Sequence, residues 1–222
     1  FTRKLATLSI SRSFGLIAAL AVLIAVGSVG YTLNAARNEM IMLKRAEMKN
    51  AVEAAATTVK GYLARVQSGE LKEDEAKKLA MAALDSARFD SGNYYFLINY
   101  DGISVLHANK KIQSTDMRPL KDADGKFFVQ EMISLVKART QGFVDYGWLK
   151  AGDKDPSLKI SYVIGIPEWQ WLVGSGVHVQ DVDAAFMGMV GGVAKVLVPL
   201  GLLMLGLVIV LSRRASGMLH SL

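Results

Sequence analysis

From Phe14 to Leu33 the chain reads FGLIAALAVLIAVGSVGYTL, without one charged residue. At about 1.5 Å per residue, roughly 20 helical residues cross the ~30 Å hydrocarbon core of a bilayer. A second apolar segment runs from about Phe186 to Leu211, and its stretch VLVPLGLLMLGLVIVL (Val196–Leu211) is uncharged. Lys195 stands just before that stretch, where its stem can snorkel toward headgroups. Pro199 is expected to kink the helix, which neighbouring groups tolerate in a membrane. Such lengths argue against buried core helices. The first segment also exceeds the roughly 7–15 apolar residues of a cleaved signal peptide, so it reads as an uncleaved anchor. Both are expected to be transmembrane helices, over 14–33 and 186–211.

The flanking charges set the orientation. Arg3, Lys4 and Arg12 precede the first span, and Arg213 and Arg214 follow the second. The positive-inside rule then places residues 1–13 and 212–222 in the cytoplasm and 34–185 outside. The chain carries 26 Lys+Arg against 20 Asp+Glu, a formal net charge of +6. Those five basic residues and Lys195 are the only six outside 34–185, so the segment between the spans is electrically balanced. The basic character is a membrane signature, and no nucleic-acid partner is expected. The absence of cysteine excludes disulfides, zinc–thiolate sites, iron–sulfur clusters and thiol catalysis.

The segment between the spans reads as helices followed by a sheet. Residues 34–66 contain no Pro and are rich in Ala, Glu, Lys and Met, good helix formers. Met48, Ala51, Ala55, Val59, Tyr62, Leu63 and Val66 recur with a helical period, so one helix continues out of the membrane. Gln67-Ser68-Gly69 breaks it. A second helix is expected at about Lys72–Ala87, with Glu73, Asp74 and Glu75 in its first turn, where the helix dipole favours acids. Strands follow at Tyr94–Asn99 and Ser104–Ala108, joined by the turn Tyr100-Asp101-Gly102. An amphipathic helix is expected at about Lys126–Arg139, then strands at Gly142–Leu149, Leu158–Ile166 and Gln170–Val179. The fold class is therefore α+β: a long N-terminal helix packed on a PAS-like five-stranded antiparallel sheet, flanked by two transmembrane helices.

The run YYFLINYDGISVLHANKK, followed by MRPLKDADGKFFVQEM, GFVDYGWLKAG and LKISYVIGIPEWQWLVGSGVHVQDVD, resembles a single Cache domain. The match covers about Tyr94–Asp183 and keeps the order D-G hairpin, strand His, D-x-D-G-K, F-V-x-Y-x-W, K-x-S-Y-V, W-x-W and G-x-G. The resemblance implies an extracytoplasmic sensor over 34–185, helical to about residue 90 and sheet-forming from 91 to 180. Family members of this kind serve bacterial chemoreceptors, sensor histidine kinases and cyclic-dinucleotide enzymes, and bind small carboxylates such as acetate, propionate, pyruvate or lactate. One departure stands out: His107 is followed by Ala108 where the family often has Pro, which removes a fixed φ from the loop to Arg118.

Seven residues are candidates for ligand contact. His107 is read as lying mid-strand on the face of Val105; its bland role is a satisfied core histidine, and the resemblance makes it a donor to a carboxylate oxygen. Alternation places Val144, Tyr146 and Trp148 on one face and Phe143 and Asp145 on the other. Tyr146 and Trp148 can form an aromatic wall with a phenol donor for a short apolar acid, or plain core. The resemblance offers Lys159 and Tyr162 as pocket residues, yet three positions of separation send them to opposite faces of a regular strand. A bulge, or Lys159 leaning in from the strand end, would be needed for both. Arg118 can bind a carboxylate bidentately or be a solvated loop cation. Tyr95, opposite Tyr94 and Phe96, is the seventh. Trp169 and Trp171 are read as core, and Asp122 and Asp124 as N-caps of the following helix rather than calcium ligands.

No G-x-S-x-G, H-E-x-x-H or nucleotide-binding glycine loop occurs, and neither an enzyme activity, a metal nor a cofactor is expected. The expected role is the ligand-sensing extracytoplasmic and transmembrane part of a bacterial chemoreceptor in the inner membrane. Alternatives are the sensor region of a histidine kinase or cyclic-dinucleotide enzyme, or a membrane-tethered dimerisation module. The resemblance implies a homodimer through the long first helix. The start at Phe1 and the end SRRASGMLHSL, which resembles the beginning of a HAMP-type connector, imply that a cytoplasmic signalling domain lies beyond this sequence.

Overall fold

The computed structural model describes residues 10–89, 93–150 and 152–219. Arg3, Lys4 and the last three residues of the expected connector lie outside them, as does the expected boundary at residues 90–91. The chain divides into two units, Phe1–Glu39 with Ala184–Leu222, and Met40–Asp183.

The first unit is built from the outer parts of two long helices. Helix α1 spans Ile10–Gln67, 58 residues without a break, and helix α4 spans Val179–Leu219, 41 residues. Both contain stretches long and apolar enough to cross a membrane. Their large apolar side chains are exposed; Leu23 is 68% accessible and Leu203 75%. An apolar surface of this kind, presented around a whole helix, suits lipid rather than water. Pro199 is accommodated within α4. That helix starts seven positions before the expected span, at Val179, because Val179 and Val182 still belong to the core of the second unit.

In the second unit five strands form one antiparallel sheet in the order β4-β3-β7-β6-β5: β3 Phe96–Asn99, β4 Ser104–Leu106, β5 Gln141–Trp148, β6 Ser157–Ile166 and β7 Trp171–His178. A separate pair, β1 (Arg88–Phe89) and β2 (Asn93–Tyr94), precedes it. The expected single strand Tyr94–Asn99 is thus divided at Tyr95, although alternation survives the break. β6 and β7 are buried almost throughout, as inner strands covered on both faces must be.

The two faces of the sheet support separate cores. On one face, α1 contributes Met48, Val52, Ala55, Ala56, Val59 and Leu63 at three- and four-residue spacing, and α2 (Glu73–Ser86) contributes Ala76, Ala80 and Leu84. They pack on Leu97, Ile160, Tyr162, Ile164, Val173 and Val177. Fully burying each such valine or leucine contributes about 1.5–3 kcal/mol. On the other face, α3 (Phe128–Arg139) lays Phe128, Val129, Met132, Ile133 and Val136 over Phe96, Ile98, Val144, Tyr146, Val163 and Leu172. Trp169 and Trp171 are core residues as expected, but Trp169 belongs to a 3-10 turn, Pro167–Trp169, that reverses the chain between β6 and β7.

Two local expectations are corrected. Asp122 does not cap α3, whose N-cap Phe127 makes no side-chain bond. Its carboxylate instead accepts the backbone N–H groups of Asp124, Lys126 and Gly147, closing its own loop and tying it to β5. His107 does not lie mid-strand on the face of Val105, because β4 ends at Leu106. Leu97 pairs with Leu106 while the next residue, Ile98, pairs with Ser104, so Val105 is the extra residue of a bulge. The bulge sends Val105 to the α1 side and leaves His107 with residues of the opposite face.

Candidate ligand site around Lys159

The β6–β7 hairpin determines which residues meet. From the turn at Pro167 the two strands stay in unbroken register, Ile166 opposite Trp171 and, seven steps out, Lys159 opposite His178. On its other side β6 pairs equally regularly with β5, so Tyr146 stands opposite Lys159. Tyr146, Lys159 and His178 therefore form one row across three strands, with Cβ atoms about 5 Å apart. The next row inward is Val144, Ser161 and Gly176. Gly176 is required by this crowding: a Cβ there would lie 2.2 Å from Ser161 Oγ and 2.7 Å from Lys159 Cε.

Lys159 is only 2% exposed. Its Nζ donates to the hydroxyl of Tyr94 at 3.1 Å and stands 4.6 Å from the centroid of that ring. Among the described residues no carboxylate pairs with it. Burial without a counter-charge pushes its pKa down from 10.5 to about 7. Such a shift is worth about 5 kcal/mol of lost preference for the charged form.

Tyr94 is the hub of the polar contacts. Its hydroxyl lies 3.2 Å from His107 Nε2, and His107 Nδ1 accepts the backbone N–H of Asn109 at 2.9 Å. That second bond assigns the tautomer: with Nδ1 an acceptor, a neutral ring carries its proton on Nε2 and donates to the Tyr94 oxygen. Burial, and next the charge of Lys159, hold the His107 pKa down to about 4, so the ring is neutral at pH 7. With both lone pairs of the phenol oxygen engaged, its own proton is left to donate elsewhere. Burial raises the Tyr94 pKa, with Trp148 acting in the opposite sense.

Aromatic rings complete the surroundings. Phe128 stacks on Tyr146 with centroids 4.3 Å apart, and the Trp148 ring meets Phe128 at 5.5 Å and His107 at 6.1 Å, both edge-on. The Tyr146 hydroxyl reaches Ser161 Oγ at 3.1 Å, and burial drives its pKa far above the usual phenol range. On the far side of Lys159, His178 Nδ1 lies 2.7 Å from Ser157 Oγ. Burial and the lysine charge again lower its pKa to about 4. Three donor types, a cation, a phenol and an imidazole, thus converge beside an aromatic wall. This is the chemistry of a site for a small anion with an apolar end.

Of the seven candidates, the fold brings together His107, Tyr146, Trp148 and Lys159. Tyr162 follows the parity of an unbulged strand onto the α1 face, where it packs 4.6 Å from Phe143. Tyr95 is on that face too, 5.1 Å from Phe89. Arg118 is exposed and forked onto Asp116 by Nε and Nη2, its stem lying over Gly102. Gly102 carries φ +83°, and a Cβ there would meet Arg118 Cγ at 2.2 Å. Tyr94, His178 and Ser161 were not among the candidates. Counting outward from the Pro167 turn would have found His178, and the shared side of Tyr94 and Phe96 pointed to Tyr94. A groove of about 380 Å³ lined by Lys77, Asp101, Glu168, Trp169 and Trp171 shares none of these residues.

Residues 40–191 match the family model for single Cache domain 2. Methyl-accepting chemotaxis protein McpP of Pseudomonas putida is 30% identical over 210 residues, covering 94% of this chain and 39% of the relative. The chain thus spans about two fifths of that relative's length. A solved periplasmic sensor domain of a chemotaxis protein is 37% identical at a TM-score of 0.62, covering 63% of this chain and 98% of that one. A Cache chemosensory domain solved for carboxylic acid recognition is 28% identical at a TM-score of 0.60, covering 64% of this chain and 97% of that one. With a helix-flanked five-stranded antiparallel sheet and a family match over most of its length, this chain belongs to the single Cache family and is homologous to the sensor domains of methyl-accepting chemotaxis proteins.

Proposed function

We propose that this chain is the ligand-sensing and membrane-anchoring part of a bacterial chemoreceptor, and that its Cache domain binds a small monocarboxylate at Lys159. The reading rests chiefly on the buried Lys159 ammonium, which lacks a carboxylate partner among the described residues and faces Tyr94, His107 and an aromatic wall. A buried cation without a counter-ion is costly, and an incoming carboxylate would supply that counter-ion. Tyr146, Trp148 and Phe128 suit the short apolar remainder of acetate, propionate, pyruvate or lactate. Carboxylic acid recognition by a homologous Cache domain supports the same class.

The chain would sit in the inner membrane with both ends cytoplasmic and residues 34–185 outside, as a homodimer through α1. Transmission would run from β7 into α4, since His178 ends the strand and Val179 begins the helix without a linker. Ligand binding shifts an equilibrium only by differential affinity for two states, so closure on the carboxylate must displace that junction.

Thermal unfolding of the chain in nanodiscs, with and without each of the four acids, tests the binding reading. A true ligand adds RT ln(1+[L]/Kd) to the unfolding free energy and so raises the midpoint. No shift with any of the acids, together with an unchanged response in Lys159→Ala, overturns it. Four glycines inserted at Gln180 are expected to abolish ligand-dependent output of a receptor carrying this sensor; intact output would refute transmission through the junction.

A further inference from the structure

Lys159 is enclosed on every side. β5 presents Tyr146, β7 presents His178, β2 presents Tyr94, and the residue following β4 presents His107. Among the described residues these are the titratable groups facing the lysine; none of them is a carboxylic acid, and neither imidazole carries charge at neutral pH. Lys110 acts on His107 from outside, and Asp181, Lys150 and Asp153 act on His178. An ammonium so placed lacks the water and counter-charge that normally hold its proton.

We propose that carboxylate binding at Lys159 is coupled to the uptake of one proton, so that the sensor reads acidity together with its ligand; this rests on the carboxylate reading of the site. In the free sensor a large share of Lys159 stands as the neutral amine above neutral pH. A bound carboxylate restores the missing counter-charge and stabilises the ammonium. The balance is one amine, one carboxylate anion and one proton from the buffer giving one ammonium–carboxylate pair, with no other bond made or broken. A ligand arriving as the undissociated acid brings the same proton itself.

The free lysine titrates near pH 7. Below that it is already charged and affinity is independent of pH. Above it, each pH unit weakens apparent affinity about tenfold until the lysine of the complex also titrates. The histidines cannot imitate this, because their titration lies near pH 4 and would place any slope below the neutral range.

Calorimetry on the full chain in nanodiscs, with acetate, propionate, pyruvate and lactate between about pH 6 and 9, tests the coupling. The acid that binds is expected to lose about tenfold in affinity from pH 8 to 9, and little from 6 to 6.5. At pH 8 the heats in two buffers of different ionisation enthalpy should differ by nearly one proton per site. A Kd constant within about twofold from pH 6 to 9, with heats independent of buffer, overturns proton coupling and leaves the carboxylate reading standing. Absence of binding by all four acids at every pH overturns both. Lys159→Arg keeps its charge throughout, and binding by that variant should lose the slope; a slope that survives there assigns the proton to another group and refutes the proposal.

Discussion

The ammonium of Lys159 lies 3.1 Å from the Tyr94 hydroxyl, and no other hydrogen-bond partner holds it among the described residues. Tyr94 also takes the bond from His107, so a single phenol positions both nitrogen donors. Tyr94→Phe keeps the ring and removes the hub. A hydrogen bond to a charged group contributes about 1.5–3 kcal/mol, so affinity for a carboxylate should fall roughly 10- to 100-fold. The ligand-free melting midpoint should fall as well, because two buried donors lose their acceptor. Calorimetry and thermal unfolding of one preparation check both, and unchanged affinity would remove Tyr94 from the site.

Lys159 itself is expected to oppose stability. In the unfolded chain it keeps its proton to about 10.5, in the fold only to about 7. Between those values the unfolded state binds more protons, so stability rises with pH. The ligand-free protein should gain about 2 kcal/mol from pH 7 to 9 through this group. Lys159→Met should be more stable than the parent at pH 7, lack that gain and bind no carboxylate. Denaturant unfolding at the two pH values gives both numbers.

Lys150, two residues beyond Trp148, pairs with Asp181 at 2.5 Å, and Gln180 Nε2 donates to Asp153 Oδ2 at 2.5 Å. The β5–β6 connection therefore clasps the first turn of α4. The pair is partly exposed, so its loss should cost under about 1 kcal/mol of stability. Lys150→Glu is expected to leave ligand affinity within about threefold while weakening ligand-dependent output of a receptor carrying this sensor. Adding Asp181→Lys should restore output. Full output from the single variant would show that the clasp carries no signal.

Gly176→Ala probes the crowding behind Lys159. The added Cβ would meet Ser161 Oγ at 2.2 Å and Lys159 Cε at 2.7 Å. Overpacking of this kind costs about 1–3 kcal/mol, and the lysine stem must move. Thermal unfolding should show the loss, and carboxylate binding should weaken at least tenfold, about 1.4 kcal/mol. Binding at parental strength would mean that the position of Lys159 is not critical.

Some of this protein was determined by its sequence alone. Uncharged apolar runs identify helices fit for lipid, because the cost of burying charge there is local and additive. The alternation in Phe143–Trp148 separated Tyr146 and Trp148 from Phe143 and Asp145, since a strand's period of two does not depend on its neighbours. The same parity put Lys159 and Tyr162 on opposite faces. The surroundings of each face were decided only by tertiary structure, because they depend on which segments cover each side: Tyr162 packs with α1 and α2, while Lys159 on the opposite face lies among Tyr94, His107 and His178. The bulge at Val105, the Asp116 partner of Arg118 and the loop closure by Asp122 likewise emerged only in the folded chain. Each turns on contacts between segments distant in the chain or on a local backbone geometry that residue type leaves open.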